Sequence, residues 1–515
     1  MNDQAELVFG FVYGIGTNAD PVASLLTDYL KQFSYTTHEF RISQHLRTLD
    51  VGIEYRTSST FDEMNALMNA GNEARRRSRS DNILAVMAVN EIASYRNGEQ
   101  PLERVAHVVR SLKTPHEVRL LRDVYRPGFF LIGIASDDDE QHRFLESVKG
   151  LTQAEALAVI DRDQDEELKY GQRTRDTFYL ADVFVELESE KHKSQLERFL
   201  ELVFGHPFKT PTREEHAMFM AYASGARSAQ LGRQVGAAIA TKEGDVVAVG
   251  FNEVPSPFGG PYWDGDEADG RDHALDGKTD SNYFHRARIV SSIMSNLKDL
   301  VITEARVREL LKISGINLED DVVEKMKRTR VIATEANIKL AIESSELKDI
   351  TEYGRAVHAE MDALLTCARL GITVKGRSLF TTTFPCHNCT RHIIAAGLAS
   401  VTYIEPYPKS RAAALHRDAI CFSREEAAKT TRIPFLPFVG IGPRRYLDLF
   451  SLDLSTGRKV DRKDEGGRAI FPKRAARPPR VPMLPFSYLE RETKLLEEYE
   501  DVIKMLVGNN HDKLD

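Results

Sequence analysis

A cysteine pair is the feature of this sequence whose residue types and spacing point most directly to chemistry. Cys386 and Cys389 lie in the stretch SLFTTTFPCHNCTRHII, with a proline before the pair and a histidine inside it. A C-x-x-C pair serves as a redox dithiol, as half of a structural zinc site or as part of a catalytic zinc site. The pair alone does not distinguish these three uses, so the choice depends on residues elsewhere in the chain.

A histidine and a glutamate at the predicted start of an apolar helix complete the pattern. His358 and Glu360 lie in the stretch AVHAEMDALL. A catalytic zinc ion needs about three protein ligands and an open position for water. His358 and the two cysteines supply three ligands, and Glu360 supplies a carboxylate that shuttles protons without binding the metal. H-x-E followed by P-C-x-x-C is the signature of zinc-dependent nucleobase deaminases, and it predicts one catalytic zinc ion per chain.

The other two uses of the cysteine pair make different demands on the sequence. A redox dithiol needs neither His358 nor Glu360. A structural zinc site needs a fourth ligand, for which Cys367 and His387 are the candidates. Cys367 lies on an apolar helical stripe and is predicted to be core, and His387 is predicted to be a surface or supporting residue. A structural site has no use for Glu360, which favours the catalytic interpretation.

Composition excludes several classes of protein. The chain has 515 residues, of which 42% are hydrophobic and 28% charged, so we expect more than one globular domain. The net charge of -8 gives the whole molecule no reason to coat nucleic acid. Four cysteines make no disulfide framework, and no stretch approaches the roughly 20 apolar residues that cross a bilayer. With no secretory signal pattern either, these features predict a cytoplasmic protein without membrane association.

The first two hundred residues alternate predicted strands and helices. The strands are ELVFGFVYG, HEFRIS, RVAHVVRS and GFFLIGIAS. PVASLLTDYLKQF has helical spacing with Pro21 near its start. TPHEVRLLRDVY has Thr114 as its predicted N-cap and Glu117 three residues later, which is the spacing of a capping box. This alternation is typical of an α/β fold with a parallel sheet.

A glycine-rich segment, GFVYGIGTN, joins the first predicted strand to the first helix, where phosphate-binding loops occur. Against the pattern G-x-x-x-x-G-K-[ST], only Gly10 and Thr17 match, and the lysine that would hold the phosphates is missing. The segment also fits the looser dinucleotide pattern G-x-G-x-x-G/A. We expect Gly10, Gly14, Gly16 and Thr17 to bind a regulatory nucleotide, the alternative being a plain strand-to-helix turn.

A polar linker around residues 204–213 precedes a second group of predicted elements. They are the strands QVGAAIAT and DVVAVGFNE, the helix HAEMDALLTCARL, the strand SLFTTTF, the helix of the cysteine pair and the strand VTYIEP. A charged, mostly helical segment at about 260–350 interrupts this group as an insertion. The expected domains are therefore 1–205, 206–455, and a basic tail with a C-terminal helix at 456–515.

Several segments resemble one known family. RSAQLGRQVGAAIA, VVAVGFNEVP, AVHAEMDALLTCARLG and LFTTTFPCHNCTRHIIAAGLASVTYIEPYPKS resemble deoxycytidylate deaminases of the cytidine-deaminase superfamily. KTPHEVRLLRDVYRPGFFLIGI and RDTFYLADVFVE are similar to bacterial anti-phage dCTP deaminases. The resemblance implies an N-terminal P-loop kinase-like domain with a parallel sheet. It also implies a C-terminal cytidine-deaminase-like α/β/α domain with a mixed five-stranded sheet.

The resemblance also implies roles for individual residues. His358, Cys386 and Cys389 would hold zinc, and Glu360 would be the proton shuttle. Asn252 and Ala359 would contact the substrate, Asn252 because it matches the asparagine of the family's G-Y-N-G segment. Glu253 departs from that segment, where the family usually has glycine.

The implied substrate is dCTP, dCMP or both, and the implied role is the removal of dCTP in anti-phage defence. The alternatives are a deaminase of cytosine in RNA or single-stranded DNA, a tRNA adenosine deaminase, and a non-catalytic nucleotide sensor with structural zinc. The acidic net charge favours the free nucleotide, because polynucleotide grooves are usually basic. Other expected partners are a regulatory nucleotide, a small RNA at the basic tail (Lys473, Arg474, Arg477 and Arg480) and further copies of the chain.

Overall fold

The computed structural model describes most of the chain. The described residues are 5–55, 59–97, 101–136, 138–164, 166, 170–187, 191–274, 278–297, 335–343, 345, 347, 353–407, 410–453, 458–481 and 485–507. Much of the predicted helical insertion, residues 298–334 above all, lies outside them.

The strands and helices of the described residues follow in chain order. The strands are β1 (Leu7–Tyr13), β2 (Thr36–Arg41), β3 (Val105–Arg110), β4 (Phe129–Ala135), β5 (Val183–Glu186), β6 (Gly236–Ala240), β7 (Val246–Phe251), β8 (Ser378–Thr383), β9 (Ser400–Glu405), β10 (Ile420–Cys421), β11 (Ile433–Pro437) and β12 (Gly440–Ile441). The helices are α1 (Asp20–Gln32), α2 (Ile42–His45), α3 (Thr60–Ser78), α4 (Ile83–Arg96), α5 (Pro115–Tyr125), α6 (Asp138–Arg143), α7 (Gln153–Gln164), α8 (Thr174–Phe178), α9 (His192–Val203), α10 (Arg213–Gly225), α11 (Ser281–Leu297), α12 (Glu335–Glu343), α13 (Ala359–Arg369), α14 (His387–Ala396), α15 (Ala412–Leu415), α16 (Arg424–Lys429), α17 (Tyr446–Phe450) and α18 (Pro485–Val507).

The chain divides into two compact units. The first comprises Met1–Phe219, Tyr403–Pro406 and Pro437–Asp515, and the second comprises Met220–Thr402 and Tyr407–Leu436. The domain boundaries expected from the sequence, at residues 205 and 455, stay a prediction. Among the described residues, no helix combines the length and the apolar composition that a membrane span requires.

The first unit is built on a six-stranded sheet in the order β12-β5-β4-β1-β3-β2. Strands β1 to β5 are parallel where they pair, and β12 is antiparallel to β5. β1, β3 and β4 are almost fully buried, which explains their continuous apolar sequences. The predicted α/β sheet is confirmed, with an antiparallel edge strand that the N-terminal sequence alone could not reveal because it comes from residues 440–441.

Two predicted helix starts are confirmed. Helix α1 carries Pro21 in its first turn, where its fixed φ and missing N–H are tolerated. At the start of α5, the Thr114 hydroxyl accepts a hydrogen bond from the Glu117 N–H at 3.4 Å. The Glu117 carboxylate in turn accepts one from the Thr114 N–H at 3.1 Å, which completes the capping box.

The second unit contains a six-stranded sheet in the order β10-β11-β9-β8-β6-β7. β6 is antiparallel to both β7 and β8, and β10 is parallel to β11, so this sheet is also mixed. Five strands were expected, and the sheet has six. The segment after β9 contributes the two-residue edge strand β10. Helix α13 packs closely on β7, and the glycine at position 250 permits this. A Cβ at Gly250 would lie 2.3 Å from the Ala359 carbonyl oxygen and 2.4 Å from the Ala363 nitrogen.

A buried polar network in the first unit ties the C-terminal helix α18 to helices α4 and α5. The Arg96 guanidinium donates to both carboxylate oxygens of Glu492, at 2.6 and 3.0 Å, and its Nε lies 3.2 Å from Glu6. The Tyr125 hydroxyl donates to Glu492 at 2.7 Å. Arg96, Glu6 and Glu492 are each less than 8% exposed. A buried charge network of this kind is strongly destabilised when one partner is removed.

We therefore predict that Glu492→Ala releases α18. The substitution leaves the Arg96 charge buried with one carboxylate fewer, a loss of roughly 3 kcal/mol. Amide hydrogen exchange across residues 485–507 should then accelerate by about a hundredfold. The control is Glu500→Ala on the same helix, which removes only an exposed ion pair with Lys504 and should leave the exchange unchanged. Equal acceleration in both variants would contradict the role assigned to the network.

Candidate metal centre and active site

The three predicted zinc ligands lie at the starts of two helices. His358 is the N-cap residue of α13, with φ −71° and ψ 154°. Cys386 is the N-cap residue of α14, with φ −67° and ψ 165°, and Cys389 follows in the first turn of that helix. Neither N-cap side chain makes a capping hydrogen bond to its own helix. Both side chains are therefore available to meet, and the partial positive charge of a helix N-terminus favours thiolate there.

The ligand atoms of these residues converge. His358 Nδ1 lies 3.3 Å from Cys386 Sγ and 3.3 Å from Cys389 Sγ. The three ligand atoms all lie within 4.8 Å of one another. A tetrahedral zinc ion with ordinary Zn–N and Zn–S bonds would hold such nitrogen and sulfur atoms roughly 3.6 Å apart. The separations, the buried cysteines and the one-histidine, two-thiol donor set thus fit a zinc ion with one open position.

The three side chains of the cluster shift one another's pKa values. A hydrogen bond with Cys389 lowers the pKa of the Cys386 thiol to about 4. The hydrogen bond to Cys386 raises the pKa of His358 to about 9. The same thiol pair raises the pKa of Cys389 well above its usual range, and burial adds to that effect. Negative charge is therefore concentrated on Cys386 Sγ, the form in which cysteine binds metals, and a metal ion that binds here displaces protons from His358 and Cys389.

Glu360 lies beside the cluster and is suited to carry protons. It is the second residue of α13, and its side chain is buried, with 4% exposure. The Cys389 thiol donates to Glu360 Oε2 at 3.4 Å. Burial, assisted by the negative charge of Cys386, raises the pKa of Glu360 to about 7. A carboxylate with such a pKa can both accept and return a proton near neutral pH.

The cluster forms one wall of a cavity of about 190 Å³ in the second unit. Its lining residues are Arg233, Val235, Asn252, His358, Ala359, Glu360, Thr383, Phe384, Cys386 and Tyr407. The structure thus brings together five residues that the sequence and the resemblance singled out, namely His358, Glu360, Cys386, Asn252 and Ala359. The other lining residues were not singled out from the sequence, namely Arg233, Val235, Thr383, Phe384 and Tyr407. All five lie within the resembling segments, which was the only signal for them.

Asn252 holds the backbone of the loop that carries Arg233. Its Oδ1 accepts from the Val235 N–H at 2.6 Å, and its Nδ2 donates to the Arg233 carbonyl at 2.7 Å. Glu253 also stabilises this loop. It is fully buried, and its carboxylate accepts a hydrogen bond from the Ala229 N–H at 2.7 Å. The residue that replaces the family's usual glycine therefore fixes the loop before β6.

The alternative fourth ligands lie elsewhere. Cys367 is fully buried in the apolar core of the second unit. Among the residues that the structure describes, the only His, Cys, Asp or Glu group close enough for a metal ion consists of His358, Cys386 and Cys389. This arrangement leaves the fourth position of the metal to a non-protein ligand, as a catalytic site requires.

The N-terminal glycines differ in their structural roles. Gly10 lies inside β1, where a Cβ would come within 2.8 Å of Leu112 and Phe129 side-chain atoms. Gly14, Gly16 and Thr17 follow the strand and line a separate cavity of about 320 Å³ in the first unit. Gly16 has φ +87°, which favours glycine. Close packing therefore explains Gly10, and the loop proper begins at Gly14.

Comparison with known proteins defines the class of the second unit. Residues 322–405 match the family described as the cytidine and deoxycytidylate deaminase zinc-binding region. That region contains His358, Glu360, Cys386 and Cys389. The chain therefore carries a cytidine/deoxycytidylate deaminase domain whose zinc-binding motif coincides with the cluster.

Three curated proteins match parts of the chain, and two of them are named as deoxycytidylate deaminases. The chain is 42% identical over 53 residues to ComE operon protein 2 of Bacillus subtilis, which is 10% of this chain and 28% of that protein. It is 34% identical over 119 residues to a probable deoxycytidylate deaminase of Drosophila melanogaster, which is 22% of this chain and 57% of that protein. It is also 34% identical over 55 residues to the deoxycytidylate deaminase of Enterobacteria phage T4, 11% of this chain and 28% of that enzyme. The matches thus span less than two thirds of the length of these relatives.

A comparison of structures found the dCMP deaminase of cyanophage S-TIM5 in complex with dCMP and dUMP. It is 16% identical, with a TM-score of 0.24, over 45% of this chain and 99% of that enzyme. A TM-score of this size does not show that the two proteins share a fold or a function.

We predict that the metal content of the protein depends on the cluster alone. His358→Ala or Cys389→Ala should reduce zinc from about one ion per chain to a small fraction of that, because two ligands cannot close the site. The measurement is elemental analysis of purified protein. Cys367→Ala is the matched control, since it removes a buried thiol outside the cluster and should retain zinc. Zinc loss in the control, or zinc retained without His358, would refute the assignment.

Proposed function

We propose that the protein is a zinc-dependent deaminase that removes the C4 amino group of deoxycytidine nucleotides by hydrolysis. The reaction converts dCTP to dUTP, dCMP to dUMP, or both, with release of ammonia. The observation that carries the proposal is the buried Glu360 carboxylate beside the His358, Cys386 and Cys389 cluster, in a cavity. A structural metal site would not require a carboxylate whose pKa is raised to about 7.

The residues of the cluster have separate tasks in this reaction. His358, Cys386 and Cys389 would hold the zinc ion, which when bound acts as a Lewis acid and supplies a nucleophilic water at neutral pH. Glu360 accepts the proton that the attacking water loses as its oxygen bonds to C4 of cytosine. The same carboxylate delivers that proton to ring N3, then takes the remaining proton from the new hydroxyl on C4 and passes it to the leaving amino group. The C4–N bond breaks, and the products are the uracil nucleotide and ammonia.

Arg233 supports a phosphorylated substrate. It is a permanent cation on the lining of the cavity, its guanidinium lies 5.7 Å from the centre of the Tyr407 ring, and Asn252 fixes its backbone. Guanidinium groups bind phosphate oxygens with two parallel hydrogen bonds. We infer that Arg233 contacts the 5′-phosphate while Glu360 faces the base. Asn252 then acts on the substrate through Arg233 rather than only by direct contact.

In the cell, either reaction would remove deoxycytidine nucleotides. Depletion of dCTP during phage infection is the physiological role that the resemblance to anti-phage deaminases implies. This physiological role and the choice between dCTP and dCMP as substrate are both part of the proposal.

The first test is turnover of the Glu360→Gln variant. Loss of the proton carrier should reduce uracil-nucleotide formation from dCTP and dCMP by about 10²- to 10⁴-fold, with zinc content unchanged. Asp362→Asn is the matched control on the same helix, because the asparagine Oδ1 can still accept the hydrogen bond from the Phe251 N–H and the side chain takes no part in the chemistry. Its turnover per folded molecule should stay near that of the wild type.

The same assay includes CTP, a cytosine oligonucleotide and a tRNA substrate, which represent the alternative deaminases. Undiminished turnover in Glu360→Gln would refute the mechanism. A zinc-loaded wild type that releases no ammonia from any of these compounds would instead identify the domain as a non-catalytic sensor.

The second test concerns Arg233. Arg233→Gln should raise the KM for dCMP and dCTP by about tenfold to a hundredfold, since a charged hydrogen bond to phosphate is lost. The kcat/KM for deoxycytidine, which has no phosphate, should stay unchanged. Arg369→Gln is the control, because Arg369 is an arginine of the same unit that bonds Thr366 and lies outside this cavity. An equal loss for nucleotide and nucleoside would assign Arg233 a structural role only.

A further inference from the structure

The glycine loop of the first unit already holds an anion that belongs to the chain itself. The Ile15 N–H donates to Asp163 Oδ2 at 2.9 Å. The other oxygen of Asp163 lies 2.9 Å from Lys113 Nζ, which also donates to the Tyr13 carbonyl at 3.0 Å. Asp163 is 1% exposed. A buried carboxylate thus occupies the amide and the cation that a bound phosphate would otherwise use in such a loop.

Two further cations on the cavity lining, Arg75 and Arg110, also pair with carboxylates of the chain. Arg75 pairs with Glu117 at 2.8 Å, and both side chains are buried. Arg110 pairs with Asp20 at 2.6 Å and with Glu39 at 3.1 Å. Lys149, the remaining lining cation that the structure describes, lies 5.4 Å from the Phe144 ring. A phosphate entering this cavity would have to displace a paired, buried carboxylate or approach it as a like charge.

The rest of the cavity suits an apolar ring with a few polar groups. Its apolar lining residues are Ile42, Leu46, Met64, Leu67, Met68, Leu84 and Phe144. Five polar atoms of the described lining residues are buried without a hydrogen-bond partner. Three belong to the charged side chains of Arg75, Arg110 and Asp163, and the two uncharged ones are Thr17 Oγ1 and Gln172 Oε1. Their residues are 7% and 6% exposed and line the same cavity. Unsatisfied buried polar atoms are costly, and a ligand that hydrogen-bonds to them would remove this cost.

These observations select a class of ligand. The cavity of about 320 Å³ can hold a nucleoside. Gln172 Oε1 requires a donor such as an exocyclic amine or a sugar hydroxyl, and Thr17 accepts or donates. We propose that the first unit binds an uncharged nucleoside in this cavity and that Asp163 excludes its phosphorylated forms. This reverses the expectation of a nucleotide in the glycine loop, and it does not depend on the deaminase reaction of the second unit.

The test is calorimetry on the full chain with adenosine, guanosine, uridine and thymidine, and with their 5′-mono- and triphosphates. These compounds lack the cytosine amino group at which the proposed deaminase acts, so the reaction does not consume them. At least one nucleoside should bind with a Kd below about 1 mM, and its phosphates should bind at least about tenfold more weakly. Tighter binding of the triphosphate, or no binding of any of the four nucleosides, overturns the proposal.

Two variants test which residues exclude the phosphates and which bind the nucleoside. Asp163→Asn keeps the shape of the side chain and an acceptor for the Ile15 N–H but removes the charge, so the phosphate penalty should disappear. Thr17→Val should weaken nucleoside binding about fivefold through loss of one hydrogen bond. Lys149→Ala is the control and should leave nucleoside affinity unchanged. If Asp163→Asn does not fold, the comparison of nucleosides with their phosphates on the wild-type chain still decides. A phosphate penalty that persists in a folded Asp163→Asn protein refutes the role of Asp163.

Discussion

The close approach of helix α13 to strand β7 is the constraint on which the candidate active site depends. His358 and Glu360 flank Ala359, whose carbonyl oxygen would lie 2.3 Å from a Cβ at Gly250. The Phe251 N–H donates to Asp362 at 3.2 Å and fixes the first turn of the helix to the strand. Any larger residue at position 250 would move the helix start, and with it a metal ligand and the proton carrier together. Backbone contact, and not side-chain choice alone, therefore sets the geometry of the cluster.

The same packing sets the chemistry of Glu360. The carboxylate is buried near the negatively charged Cys386, and both effects raise its pKa. In isolation this arrangement is unfavourable, because a buried carboxylate lacks the solvation of water. It becomes useful when a cation occupies the neighbouring ligands and a substrate offers a nitrogen to protonate. Sites that violate the usual rules of burial in this way are typical of catalysis.

The sequence predicted the parts of the structure that depend on short-range spacing. The capping box of Thr114 and Glu117 forms as predicted, because all its bonds lie within four residues. The H-x-E and C-x-x-C elements are local in the same sense, and the helix starts place their side chains. Arg233 and the edge strand β12 escaped the prediction, since their positions depend on pairings between residues far apart in the chain. Asp163 in the glycine loop is another such case, because it lies 148 positions from Ile15.

The side chains around the two cavities favour different classes of ligand in the two proposals. In the second unit, Arg233 lies beside an aromatic ring on the cavity lining, and we propose that it contacts the phosphate of the substrate. In the first unit, carboxylates of the chain already pair with Arg75, Arg110 and Lys113, so a further anion gains little and meets repulsion. A loop can thus keep the glycine spacing of a phosphate-binding site while a carboxylate of the chain takes the place of the phosphate. Because glycine spacing reports backbone conformation and not charge, recognition of phosphate has to be judged from the side chains that surround the loop.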